Sequence, residues 1–170
     1  MDKLKIEKCL KGVLEDYNKD LLFREGDLKS CLYYHIKKII DNKHFIYTEL
    51  KVYWEGTRKA CDLAICNRKL NNEEKLNIND DIEAVFELKY TTYYNKAIKE
   101  DLKKLKEIRL GKDKYFIMIY EWQKSKILEL LGGKKTNFPE NLNVYFIIWE
   151  KSKDTCWGLY CFKDNDLTEI

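Results

Sequence analysis

The stretch IEAVFELKY, residues 82–90, places two opposite charges in a segment that otherwise has the composition of a buried strand. Side chains alternate across a strand, so Glu87 and Lys89 share one face while Phe86 and Leu88 lie on the other. Burying a charged group is costly unless the group is paired or binds an ion. The pair therefore indicates either an ion-binding site or an edge-strand ion pair with solvated head groups.

Two more carboxylates interrupt strand-like segments upstream. Asp62 lies among apolar residues in KACDLAIC, and Glu49 in IYTELKVYW is interpreted as a further charge within a buried strand. Carboxylates on neighbouring strands raise each other's pKa unless a cation lies among them. Mg²⁺ suits such a place, because it is a hard ion that binds one or two carboxylates and keeps water and phosphate as other ligands. A nearby lysine is suited to hold the attacking water or to stabilise charge on the phosphorane.

Hydrophobic periodicity predicts the elements that position these residues. Helical spacing of apolar residues occurs in four segments: 2–17, about 25–41, about 94–110 and 122–131. Strand patterns occur in six segments: 44–54, 58–66, 82–90, 114–120, about 143–150 and 155–162. The polar, Asn-rich stretch 67–81 is predicted to be a surface loop. This order predicts an α/β protein, a single domain over 1–170 whose mixed sheet carries helices on its faces.

Asp62, followed on the next predicted strand by Glu87-Leu88-Lys89, resembles the PD-(D/E)XK nuclease superfamily. That family has an Asp on one strand and (D/E)-x-K on the next, within an αβββαβ core. Residues 24–120 follow this order, and 121–170 form an extension with a C-terminal β-hairpin. Cys61 stands where the family usually has Pro, a position that contributes no ligand. The resemblance implies a restriction-endonuclease-like fold and metal-dependent hydrolysis of phosphodiester bonds.

The resemblance also implies roles for individual residues. Asp62 and Glu87 are expected to bind Mg²⁺, for which Mn²⁺ is a substitute. The Leu88 carbonyl is expected to add a ligand, and Lys89 to handle the nucleophilic water. Glu49 resembles an additional metal-side acid of resolvase-like and restriction-like members.

Many members also carry a Glu on the helix before the sheet. Glu25 lies on the predicted sheet-facing side of its helix and Asp27 on the other side, so Glu25 is the better candidate. Asp101 falls within the buried stripe of the following helix, and we assign it no chemistry.

Charge composition restricts how the chain could bind nucleic acid. The formal net charge is only +3, which excludes a histone-like polybasic protein and requires any such site to be a local patch. Residues expected to contact a phosphate backbone flank the predicted strands: Arg58, Lys59, Tyr93, Tyr94, Lys96 and Lys99. For most lysines of the 94–114 segment, a solvated helix face is the favoured interpretation. The family resemblance makes a homodimer that cuts two strands a reasonable expectation.

Cysteine spacing argues against a zinc or iron–sulfur site. The six cysteines include no C-x-x-C, and Cys61 and Cys66 are predicted to lie on opposite faces of a strand. With only His35 and His44 besides, a histidine-rich metal site is not expected either. The N-terminus lacks the apolar core of a signal peptide, and no apolar run approaches the length of a bilayer span. We therefore expect a cytoplasmic protein with reduced thiols and no membrane contact.

The main hypothesis is a Mg²⁺-dependent endo- or exodeoxyribonuclease that cleaves phosphodiester bonds by attack of water. The alternative is a catalytically inactive nuclease-like fold that binds nucleic acid or protein. The complete acid–acid–Lys set argues against this alternative, because an abandoned site has no reason to keep buried charges. Cleavage of RNA, or a metal-dependent role in a defence or restriction system, is a third interpretation.

Overall fold

The fold is seen in a computed structural model that describes residues 3–19, 21, 24–54, 57–70, 81–91, 96–107, 112–120, 124–131, 138–149, 157–164 and 166–170. Within these ranges there are four helices: α1 (Lys3–Tyr17), α2 (Glu25–Ile39), α3 (Lys96–Glu107) and α4 (Lys124–Leu130). The same ranges contain seven strands: β1 (Phe45–Trp54), β2 (Thr57–Cys66), β3 (Ile82–Thr91), β4 (Asp113–Tyr120), β5 (Leu142–Trp149), β6 (Trp157–Lys163) and β7 (Asp166–Glu169). The predicted order of elements is confirmed, with β7 added at its end. Most of the predicted loop, residues 71–80, lies outside the described residues.

The seven strands form one mixed sheet whose order follows the chain from β1 to β7. Neighbouring strands are antiparallel from β1 to β3 and again from β5 to β7. The β3–β4 and β4–β5 pairs are parallel. A parallel pair requires a crossover connection, which here contains α3 or α4. The predicted α/β class with a mixed sheet is therefore confirmed.

Helices cover both faces of the sheet. Apolar side chains of α1 and α2 pack on one face with Phe86 and Leu88, which we call the α1/α2 core. Side chains of α3 and α4 pack on the other face with Val85 and Phe116, which we call the α3/α4 core. The alternation predicted for β3 is confirmed, so Glu87 points toward α3.

The helices are amphipathic rather than uniformly apolar. The buried residues of α2 are Leu28, Leu32 and Ile36, which repeat at helical spacing and face the sheet. In the part of the chain that the structure describes, no helix is long and apolar enough to cross a bilayer.

The C-terminal extension contains three strands, so the predicted terminal hairpin is incomplete. Lys163 pairs with Asp166, which leaves two residues for the turn between β6 and β7. Asp164 in this turn has φ 52°, in the left-handed region that such turns require. Strand β7 has only four residues and one buried side chain, Leu167, which is too short a pattern to be recognised in a sequence.

The strand pair β1–β2 changes which face its side chains occupy. Tyr47 and Leu50, three positions apart, both pack against the α3/α4 core, although strict alternation would place them on opposite faces. Glu49 lies between them with φ 52°. On the paired strand, Cys61 and Cys66 also both lie in the α3/α4 core. The prediction that these two cysteines occupy opposite faces is therefore wrong, because the alternation is interrupted between them.

The first testable prediction concerns the attachment of α2 to the sheet. Leu28 is fully buried, and Leu28→Ala leaves a cavity that is expected to lower the free energy of unfolding by about 2–5 kcal/mol. Leu4 on α1 is 72% exposed, so Leu4→Ala is the matched control, with an expected change within about 0.5 kcal/mol. Urea unfolding followed by circular dichroism measures both changes. Equal losses in the two variants would contradict this packing.

Candidate active site

A carboxylate replaces main-chain pairing at one end of the β2–β3 contact. Backbone pairing of these strands ends at Leu63 and Phe86. Beyond that pair, the Leu88 N–H donates a hydrogen bond to Oδ2 of Asp62 at 2.8 Å. We call this end of the contact the β2–β3 opening. It brings the Asp62 carboxylate beside the charged half of β3.

Lys29 of α2 joins two carboxylates on the β1–β2 side of the opening. Its Nζ lies 3.2 Å from Oδ1 of Asp62 and also donates a hydrogen bond to Glu49. Burial lowers the pKa of Lys29, but the hydrogen bonds to Glu49 and Asp62 outweigh this effect, so the pKa is raised overall. Lys29 therefore remains an ammonium group whose single charge is shared by the two acids.

The structure corrects the expectation that Glu49 is a buried charge. Its side chain is 60% exposed, because β1 is the edge strand of the sheet and Glu49 has a left-handed backbone. Its neighbours Thr48 and Leu50 pair with Leu63 and Cys61, which places Glu49 opposite Asp62 in the register.

Lys89 links the helices on the two faces of the sheet. Its Nζ lies 3.4 Å from Oε2 of Glu25, at the start of α2, and 3.0 Å from Oδ2 of Asp101 on α3. Burial lowers the pKa of Lys89, but Asp101 and Glu25 together reverse the effect and raise it. Asp101, which the sequence analysis left without a role, is thus a direct partner of Lys89.

Glu87 is the most buried acid of the opening, with 5% of its surface exposed. Lys104 of α3 donates hydrogen bonds to the Glu87 carboxylate and to the carbonyl oxygen of Ala60. Burial raises the pKa of Glu87 to about 7, against the lowering effect of Lys104, and Asp62 and Asp101 add to the rise. Near neutral pH, the protonated and the ionised forms of Glu87 are therefore both populated.

The structure brings five predicted residues into one network of charges: Glu25, Glu49, Asp62, Glu87 and Lys89. Leu88 also lies there, through its N–H bond to Asp62. Sequence reasoning missed Lys29 and Lys104; for Lys104, the neighbouring Lys103 and Lys106 make the position resemble a solvated helix face. The signal available for Lys29 was its position four residues after Glu25, on the same side of α2.

The predicted phosphate contacts are only partly described. Lys99 lies on the exposed side of α3. Tyr93 and Tyr94 lie outside the described residues, as do the side chains of Arg58, Lys59 and Lys96.

The donor atoms of this site suit a hard cation. Asp62 and Glu87 offer carboxylate oxygens from neighbouring strands, and Mg²⁺ prefers such ligands. Each carboxylate is now neutralised by a lysine, so a divalent ion would bind in exchange for Lys29 or Lys104. No protein-family model, curated protein or solved structure matches the chain.

The second prediction concerns the raised pKa of Glu87. Because this pKa lies above the ordinary 4.5, the folded protein binds a proton more tightly than the unfolded chain between about pH 4.5 and 7. The free energy of unfolding should therefore fall by about 2–3 kcal/mol from pH 5 to pH 8 on account of this group. Glu87→Gln should remove that part of the decrease, as measured by urea unfolding at both pH values.

Glu83→Gln on the same strand is the matched control. A hydrogen bond from Lys112 lowers the pKa of Glu83 below the ordinary 4.5, so this acid is ionised in the folded protein and largely ionised in the unfolded chain between pH 5 and 8. Its variant should keep the wild-type pH dependence. An unchanged pH dependence in Glu87→Gln would show that Glu87 does not titrate in this range.

Proposed function

We propose that this chain is a divalent-metal-dependent nuclease that hydrolyses phosphodiester bonds, with DNA as its substrate. The observation that carries the proposal is the convergence of Asp62, Glu87 and Lys89 from two strands at the β2–β3 opening. Lys29 and Lys104 add positive charge beside these acids. Acids and lysines in this combination suit a site that binds both a cation and an anionic phosphate.

Mg²⁺ fits the donor set as the ion of this site. The carboxylates of Asp62 and Glu87 would hold it, with the Leu88 carbonyl as a further ligand. The carboxylates of Glu49, Asp62 and Glu87 do not all lie within 4.8 Å of one another, so the exposed Glu49 would have to move to join the other two. When bound, such an ion polarises the phosphoryl oxygen and lowers the pKa of a bound water. Glu49 is able to change partners at low cost, because its exposed position leaves it largely solvated.

Lys89 is proposed to position the attacking water. Glu25 and Asp101 hold its ammonium group from two sides, which restricts its rotamers and fixes its direction. Because these acids raise its pKa, Lys89 stays protonated at neutral pH. It therefore acts by donating hydrogen bonds to the water or to a phosphoryl oxygen, rather than by removing a proton.

Lys29 and Lys104 are proposed to contact the phosphate. In the absence of a metal ion they neutralise Asp62 and Glu87. If these carboxylates held the metal ion, both ammonium groups would lose a partner beside it. They would then be available to stabilise the charge of the pentavalent phosphorane.

The order of elements supports a restriction-endonuclease-like core in this proposal. Helix α2, strands β1 to β3, helix α3 and strand β4 follow the αβββαβ order over residues 24–120. The remainder, 121–170, would be an extension that widens the sheet.

One observation favours the inactive binding module as the second candidate. Lys29, Lys89 and Lys104 each have acidic partners, so every lysine of this site is paired without an ion. A charge network of this kind is also able to serve a purely structural role.

The third prediction separates the two candidates by cleavage assays. Wild type with Mg²⁺ or Mn²⁺ is expected to cut labelled DNA, tested as linear, circular and single-stranded forms beside RNA. Glu87→Gln and Lys89→Ala should each lower the rate by about 100-fold or more, because each removes charge at the reacting phosphate. Glu83→Gln on β3 and Lys103→Ala, a 75% exposed site on α3, are matched controls that should retain the rate.

Cleavage that is equal in Glu87→Gln and wild type would place the activity elsewhere or in a contaminant. Lack of cleavage of every polymer, together with lack of heat on titration with Mn²⁺, would favour the binding module. Cleavage of RNA but not of DNA would support the proposed active site and would contradict the assignment of DNA as the substrate.

A further inference from the structure

A second group of metal-binding side chains lies between α1 and α2, away from the β2–β3 opening. Asp16 of α1 meets Cys31 and His35 of α2, and the ligand atoms of the three lie within 4.8 Å of one another. Oδ2 of Asp16 is 3.2 Å from Sγ of Cys31 and 2.9 Å from Nε2 of His35. Asp16 and His35 are partly exposed to water, whereas the Cys31 thiol is buried between the helices.

We propose that Asp16, Cys31 and His35 form a zinc site that joins α1 to α2. In a tetrahedral zinc site, ligand atoms are about 3.4–3.6 Å apart, given Zn–N and Zn–O distances near 2.0–2.1 Å and a Zn–S distance near 2.3 Å. The two distances from Asp16, 3.2 Å to Cys31 and 2.9 Å to His35, are shorter than this by a few tenths of an ångström, and Cys31 and His35 lie within 4.8 Å of each other. A small outward movement of the side chains therefore makes room for the ion.

The spacing of the two ligands on α2 suits binding to one ion. Cys31 and His35 are four residues apart, so their side chains lie on the same side of the helix, one turn from each other. Asp16 lies in the last turn of α1 and completes the set from the facing helix. Three protein ligands leave the fourth tetrahedral position to water.

The packing of α1 holds the imidazole in place. A Cβ atom built on Gly12 would lie 2.4 Å from Cε1 and 2.5 Å from Nδ1 of His35, so the ring rests directly on the backbone of α1. Any larger residue at this position would displace the ring. Gly12 therefore permits the approach that brings Nε2 of His35 to Asp16.

The ligand types indicate the class of metal. A thiolate and an imidazole favour zinc or cobalt over the hard ion Mg²⁺. Binding requires the Cys31 thiol to lose its proton to solvent, which leaves a thiolate and a carboxylate that together balance the charge of Zn²⁺. The prediction against zinc considered spacing along the chain, and so it did not include ligands that two helices bring together.

The fourth prediction uses Co²⁺ as a spectroscopic probe of the full chain after removal of metal by a chelator. Titration should produce a thiolate-to-Co²⁺ charge-transfer band and visible bands of tetrahedral intensity, complete at one ion per chain. Zn²⁺ should abolish both and Mg²⁺ should not. Cys31→Ser should remove the charge-transfer band, and His35→Gln, which keeps the thiol, should weaken Co²⁺ binding at least about tenfold.

Two control variants separate this site from other cysteines and from the proposed nuclease site. Cys161→Ser on β6 and Glu87→Gln on β3 should both keep the charge-transfer band. The proposal is overturned if wild type gives no such band, if the band survives in Cys31→Ser, or if Cys161→Ser abolishes it. Should Cys31→Ser fail to fold by circular dichroism, unchanged Co²⁺ affinity in His35→Gln would overturn the proposal equally.

Discussion

The need to compensate charge at the β2–β3 opening governs how this molecule is arranged. Asp62 takes the place of a strand pair by accepting the Leu88 N–H, so its carboxylate is fixed within the sheet. Glu87 is nearly buried beside it, and two acids at such a place repel each other unless cations intervene. Lysines from α2 and α3 supply those cations, and both helices must therefore pack where their ammonium groups reach the opening.

The two faces of the sheet are coupled through this requirement. Lys89 contacts Glu25 of α2 and Asp101 of α3, although these helices belong to different cores. Substitution of either Glu25 or Asp101 would leave the partly buried ammonium group of Lys89 with one acidic partner from this pair. The proposed nuclease function would use the same arrangement, because a divalent ion held by Asp62 and Glu87 would take the place of the lysines at these acids and leave them free to contact a phosphate.

Hydrophobic periodicity predicted the helices and most of the strands, whereas tertiary contacts determine the side-chain partners and the local backbone irregularities. The alternation of β3 and the apolar run of β4 are patterns of consecutive residues, so the elements and the direction of Glu87 could be predicted. The left-handed backbone of Glu49 could not, because Glu has no intrinsic preference for it. The sequence also could not predict which lysine of α3 contacts Glu87. Lys103 and Lys104 are adjacent in sequence, and only the packing of α3 directs Lys104 toward Glu87 and leaves Lys103 exposed.

Titration with Mn²⁺ by calorimetry at pH 6 and pH 8 tests the central claim most directly. If Glu87 is a metal ligand with a pKa of about 7, its proton must leave before the ion binds. The account predicts binding about tenfold weaker at pH 6 than at pH 8, and much weaker binding in Glu87→Gln at both values. Equal affinity at the two pH values, or unchanged affinity in Glu87→Gln, would contradict it.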